Sequence, residues 1–118
     1  MKKVNVALVG LGFGGAFLPI YREHPLVGKV KIFDINTALQ DHFLKELGAD
    51  GYYSSFEEIL DDPEIDAVHL VTPIPLHEEQ TVQVLKAGKH YACTVPMAIS
   101  LEGIRKITEA VRKSGKTI

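Results

Sequence analysis

Residues 4–15 read Val4-Asn5-Val6-Ala7-Leu8-Val9-Gly10-Leu11-Gly12-Phe13-Gly14-Gly15. The first six are β-branched or apolar apart from Asn5 and suit a central strand buried on both faces. The glycines then break the strand, and Gly10, Gly12 and Gly15 stand at the spacing G-x-G-x-x-G. A helical pattern follows from about residue 14 to 23, which tolerates Pro19 only as a kink or break. Strand, glycine turn and helix in that order open a βαβ unit.

The same alternation continues outward from this stretch. Lys29-Val30-Lys31-Ile32-Phe33-Asp34 alternates charged and apolar residues, a second strand ending on Asp34. Asn36 suits the N-cap of a helix to about Leu47, with Ala38, Leu39, Phe43 and Leu47 on its apolar stripe and Gly48 as its stop. Tyr52-Tyr53 suggests a short strand, and Ser55 and Glu58 have capping-box spacing for a brief helix that Pro63 closes off. Ala67-Val68-His69-Leu70-Val71 is a further buried strand. A turn over residues 72–75 feeds a helix over about 76–87, stopped by Gly88. His90-Tyr91-Ala92-Cys93 reads as a strand. Ser100 caps a last helix with Leu101, Ile104, Ile107 and Val111 at near-helical spacing, and Gly115 ends it. Lys116-Thr117-Ile118 has the look of a strand beginning. The pattern predicts an α/β fold: a Rossmann-type doubly wound parallel sheet with helices on both faces.

Composition narrows the class. The 118 residues suit one domain, residues 1–118, and 46% hydrophobic with 24% charged residues excludes a disordered chain. Thirteen Lys and Arg against 15 Asp and Glu leave a net charge of -2, with no basic footprint for nucleic acid or an anionic membrane. No window reaches the roughly 18 apolar residues of a membrane span, and no signal peptide is legible, so a cytoplasmic location is expected. Cys93, the single cysteine, has no disulfide partner within the chain. It is read as core packing, since no neighbouring histidine and acid would activate it. His77-Glu78-Glu79 lacks a second histidine at zinc spacing, so no metal is expected.

The glycine turn carries the chemical reading. Gly10 permits a sharp turn, Gly12 lets backbone N–H groups approach a pyrophosphate, and Gly15 lets the helix pack close to the strand. With Phe13 and Gly14 they would cradle the phosphates at a helix N-terminus. Asp34 lies 19 residues past Gly15, near the spacing of an acid that holds the ribose hydroxyls. A carboxylate there repels a 2′-phosphate, and Ile35-Asn36-Thr37 offers no Arg to receive one, so NAD is expected and NADP disfavoured. A glycine turn and strand-end acid also occur in folds of this type that bind no dinucleotide.

A second set of residues is more specific. Val71-Thr72-Pro73-Ile74-Pro75-Leu76-His77, Ala87-Gly88-Lys89-His90 and Cys93-Thr94-Val95-Pro96-Met97-Ala98 resemble the glucose–fructose oxidoreductase/inositol dehydrogenase (Gfo/Idh/MocA) family. That family's pattern is T-P-N-x-x-H, then A-G-K-H, then C-E-K-P-[LM]-A. The resemblance implies the N-terminal NAD-binding domain of a longer two-domain enzyme that moves hydride to or from a sugar-like or polyol substrate. It implies that Thr72, Pro73 and His77, with Thr94 and Pro96, line the nicotinamide side of the cleft, His77 donating a hydrogen bond from its helix start. A small-molecule substrate is implied for the longer enzyme, and self-association into a homo-oligomer is left open.

Two departures stand out. Ile74 replaces the family's Asn, and Val95 replaces the lysine that helps position and deprotonate the substrate hydroxyl. No catalytic residue can be assigned at position 95. Either the acid–base group belongs to the second domain, or the chemistry has diverged toward an NAD-dependent glycosidase or lyase; a binding module without turnover is the third reading. The 118 residues alone are expected to bind a cofactor and catalyse nothing.

Overall fold

The computed structural model describes residues 2–116. Strands β1 (Val4–Val9), β2 (Val27–Phe33), β3 (Gly51–Tyr52), β4 (Ala67–Leu70) and β5 (His90–Cys93) form one parallel sheet in the order β3-β2-β1-β4-β5. Helices α1 (Leu18–Glu23), α2 (Thr37–Glu46), α3 (Phe56–Asp61), α4 (His77–Lys86) and α5 (Leu101–Ser114) alternate with them. The expected beginning of a strand at Thr117 and Ile118 lies outside the described residues.

Alternation along β1 divides the core. Ala7 and Val9 face a layer with Val68, Leu70 and Tyr91 of the sheet against Phe56, Ile59, Val84, Leu85 and Ile107 of α3, α4 and α5. Leu8, Val30 and Ile32 face the opposite way, onto Leu18 and Phe43 of α1 and α2. Such two-sided burial is why the central strand reads as a continuous apolar run. Since α1 and α2 lie over the β1 and β2 side, the same face of β4 and β5 is left as an open groove of about 440 Å³. Ile20, Tyr21, Ala67, His69 and Ala92 are among its walls. No helix of the described residues is long and apolar enough to cross a membrane.

The caps act where the sequence places them. The Asn36 side chain accepts hydrogen bonds from Ala38 and Leu39 N–H, and the Ser55 and Ser100 hydroxyls accept from Glu58 and Gly103 N–H. Gly115 ends α5 in the left-handed conformation at φ 68°.

The structure departs from the sequence pattern at several local points. Of the two outcomes allowed for Pro19, the structure shows a break and no kink: a 3₁₀ turn over Gly14–Phe17 gives way to α1 at Leu18, and Pro19 falls in its first turn. Its missing N–H costs no bond there. The second strand begins at Val27, two residues early, and β3 pairs at Gly51 and Tyr52, leaving Tyr53 buried beyond it. On α2, Gln40 and Phe43 are buried while Leu47 is 41% exposed. On α5, Leu101 is 82% exposed and the buried stripe is Gly103, Ile107 and Ala110.

Candidate dinucleotide site

The carboxyl ends of four strands are stitched together by backbone hydrogen bonds. Gly10 N–H donates to Phe33 O at 2.9 Å, Val71 N–H to Val9 O at 2.8 Å, and Thr94 N–H to Leu70 O at 3.1 Å. The chain order reverses between β1 and β4, so the glycine turn, Asp34, Thr72 and Thr94 all stand around the switch point. Open α/β sheets bind ligands at this crevice.

Each glycine answers to a different neighbour. Gly10 has φ 92°, and a Cβ there would run into the Val71 carbonyl oxygen. A Cβ on Gly14 would lie 2.9 Å from Val71 Cβ, so Gly14 provides the close approach to the segment after β4. Gly15 was expected to seat its helix against the strand; instead a Cβ there would strike the Phe43 ring of α2. Gly12 alone of the four looks onto open space, with nothing within 4 Å of a Cβ. Among the described residues, the N–H groups of Gly12 and Phe13 donate to nothing within the protein. Both residues lie exposed on the turn. The Phe13 ring is 71% exposed and meets Phe17 edge-on at 6.0 Å.

Asp34 is held one residue past β2. Its Oδ2 accepts from Leu11 N–H at 2.7 Å and its Oδ1 from Asn36 N–H at 2.8 Å, so the carboxylate is bonded to the glycine turn itself. Its own N–H donates to Gln40 Oε1 at 3.0 Å. Gln40, only 2% exposed, belongs to the site and to none of the sequence motifs. A polar residue on the inward stripe of a helix, six positions after a strand-end acid, was the available signal.

Across the cleft, the Thr72 hydroxyl donates to Gln80 Oε1 at 2.6 Å, while Pro73 and Ile74 are exposed. Val95 is 88% exposed and precedes Pro96 through a cis peptide. Val95 thus presents a bare isopropyl group, with neither charge nor proton. His77 does not line the cleft surface as expected. The ring is fully buried, Nε2 lying 2.7 Å from Thr72 O and Nδ1 2.8 Å from Pro96 O. Its nitrogens are occupied by the chain, which leaves no atom to offer a ligand. Glu78 beside it accepts from Ile99 N–H at 2.9 Å and from the Ser100 hydroxyl at 3.3 Å. Such partners lie about twenty residues away in sequence, and no local pattern announces them. Burial pushes the Cys93 thiol above its usual range, away from nucleophilic character.

A doubly wound parallel sheet, donors exposed at a glycine turn and an acid tied to that turn define a dinucleotide-binding Rossmann domain. The chain belongs to the Gfo/Idh/MocA oxidoreductase family, whose NAD-binding Rossmann-fold model matches residues 4–118. It is 33% identical over 122 residues to levoglucosan dehydrogenase of Pseudarthrobacter phenanthrenivorans, covering 95% of this chain and 31% of that protein. It is 30% identical over 119 residues to scyllo-inositol 2-dehydrogenase (NAD(+)) of Bacillus subtilis, covering 96% of this chain and 34% of that one. Among solved structures, biliverdin reductase of Synechocystis sp. PCC 6803, in complex with biliverdin and NADP+, superposes with a TM-score of 0.89 at 27% identity. That match covers 97% of this chain and 36% of the reductase. The chain therefore spans about a third of the length of these relatives.

Proposed function

We propose that this chain is the cofactor-holding part of an NAD-dependent oxidoreductase that exchanges hydride with a hydroxyl-bearing carbon of a sugar-like or polyol substrate. The observation that carries the reading is the Asp34 carboxylate, bonded to Leu11 N–H and Asn36 N–H at the rim of the exposed glycine turn. The residues present fit the group. Gly12 leaves room for a pyrophosphate that a Cβ would narrow, and among the described residues the N–H groups of Gly12 and Phe13 have no acceptor within the protein. When bound, a nicotinamide cofactor supplies the hydride acceptor or donor.

The chain's own residues bind and orient. Asp34 spends one lone pair of each oxygen on backbone N–H groups and keeps the others for the ribose hydroxyls. A 2′-phosphate would meet that carboxylate with no neighbouring Arg to offset it, which favours NAD over NADP. Thr72, Pro73, Thr94 and Pro96 form the opposite wall, toward the nicotinamide. Val95 neither gives nor takes a proton, so the group that exchanges the substrate's hydroxyl proton lies elsewhere in the enzyme. The relatives named for levoglucosan and scyllo-inositol support a polyhydroxylated substrate.

Isothermal calorimetry with NAD and NADP tests the assignment. NAD is expected to bind more tightly than NADP, and Asp34→Ala to weaken NAD about tenfold while narrowing the gap between the two cofactors. Equal NAD affinity in the wild type and Asp34→Ala contradicts the role of Asp34.

A further inference from the structure

The first turn of α4 grips both loops of the cleft's second wall. His77 reaches the Thr72 carbonyl on one side and the Pro96 carbonyl on the other, Gln80 holds the Thr72 hydroxyl, and Glu78 holds Ile99 N–H. Among the described residues, His77 is the one side chain hydrogen-bonded to both the loop after β4 and the loop after β5. Both acceptors are carbonyl oxygens, with no proton to give, so the ring donates in each contact. A neutral imidazole has one N–H and serves the two carbonyls by turns. The ring is fully buried, so water does not compete for either bond.

We infer that His77 is a positioning residue. From beneath the cleft it sets the spacing between the Thr72 loop and the Pro96 loop, and so holds the wall that receives the nicotinamide half of the cofactor. The inference rests on the dinucleotide reading above. It separates two halves of the site: the glycine turn and Asp34 meet the ADP-ribose half and have no bond to His77, whereas Thr72, Val95 and Pro96 depend on it. His77 therefore governs how much tighter NAD binds than ADP-ribose, which lacks the nicotinamide ring.

Two substitutions divide the brace. In His77→Asn the carboxamide N–H₂ stands near the place of ring Nδ1 and keeps a donor for Pro96 O. In His77→Gln the longer side chain brings its donor toward Thr72 O. Each variant retains one arm and loses the other. Calorimetric titrations of the wild type and both variants with NAD and with ADP-ribose read the result. The wild type is expected to prefer NAD, each variant to lose about tenfold in NAD affinity, and ADP-ribose affinity to stay within about twofold. Circular dichroism identifies the folded variants, and either one alone suffices. Where neither variant folds, hydrogen exchange on the wild type decides instead. NAD, but not ADP-ribose, is then expected to slow exchange at Thr94 and Val95 N–H, and equal slowing by both overturns the proposal. An unchanged NAD affinity, a parallel fall in both ligands, or a wild type with no preference for NAD likewise overturns it. Failure of the wild type to bind ADP-ribose at all overturns the dinucleotide reading itself, a result distinct from the others.

Discussion

At Gly10 the backbone sits at φ 92° and a Cβ would run into the Val71 carbonyl oxygen, whereas at Gly12 a Cβ meets nothing within 4 Å. The two glycines look alike in a motif and differ in what they do: one closes the turn, the other keeps a surface open. Gly10→Ala is expected to cost on the order of 2–4 kcal/mol, read as a lower urea midpoint, because strain and a backbone clash add. Gly12→Ala should hold its urea midpoint within about 0.5 kcal/mol while losing roughly tenfold in NAD affinity. Equal loss of stability in the two would contradict this division. The glycines, Asp34 and the departure at Val95 were legible from sequence because turn geometry and strand-end position are local properties. Gln40, Glu78 and the burial of His77 were not, because each depends on a partner brought close only by the folded sheet. His77 shows the limit well: its position in the T-P-x-x-x-H run was readable, but its two acceptors, five and nineteen residues away, turned a cleft residue into a brace beneath the cleft.

Among the elements, α5 shows how packing overrides a sequence stripe. Leu101 and Ile104 lie at helical spacing with Ile107, yet Gly103 occupies the closest approach to α4, where a Cβ would strike the Glu78 carboxylate. The helix is therefore rolled so that Gly103, Ile107 and Ala110 face inward and Leu101 points outward. A stripe of period 3.6 specifies a face only to within a residue or so, and here Gly103 takes the inward place beside Ile107 and Ala110. The N-terminus was readable, since Ser100 accepts from Gly103 N–H at 2.9 Å as an N-cap should. Ser100→Ala is expected to cost about 1 kcal/mol in chemical denaturation, through loss of that cap. Because Ser100 also donates to Glu78, the same substitution should speed amide exchange at Ile99, and unchanged exchange there would show that Glu78 holds the loop without Ser100.

At the scale of the whole molecule, strand order places everything chemical on one rim. The reversal between β1 and β4 opens a crevice whose near wall is the glycine turn with Asp34 and whose far wall is the pair of loops fastened by α4. The opposite resource, the apolar groove over Ala67, His69 and Ala92 on the α1 side, has a floor of sheet residues and none of the crevice's donors. Strand-helix alternation made the doubly wound architecture legible in advance, because a parallel sheet with right-handed crossovers has few ways to be built. Which face of β4 and β5 stays open was not legible, since it depends on α4 and α5 both packing on the other face, against Val68, Leu70 and Tyr91. Whether this crevice holds the dinucleotide is read by a ¹H–¹⁵N correlation titration of the chain with NAD. The largest shift changes are expected at Gly12, Phe13, Ile35, Thr72 and Val95, with Ala67 and Ala92 of the groove unmoved. Largest changes at the groove, or none at the glycine turn, would contradict it.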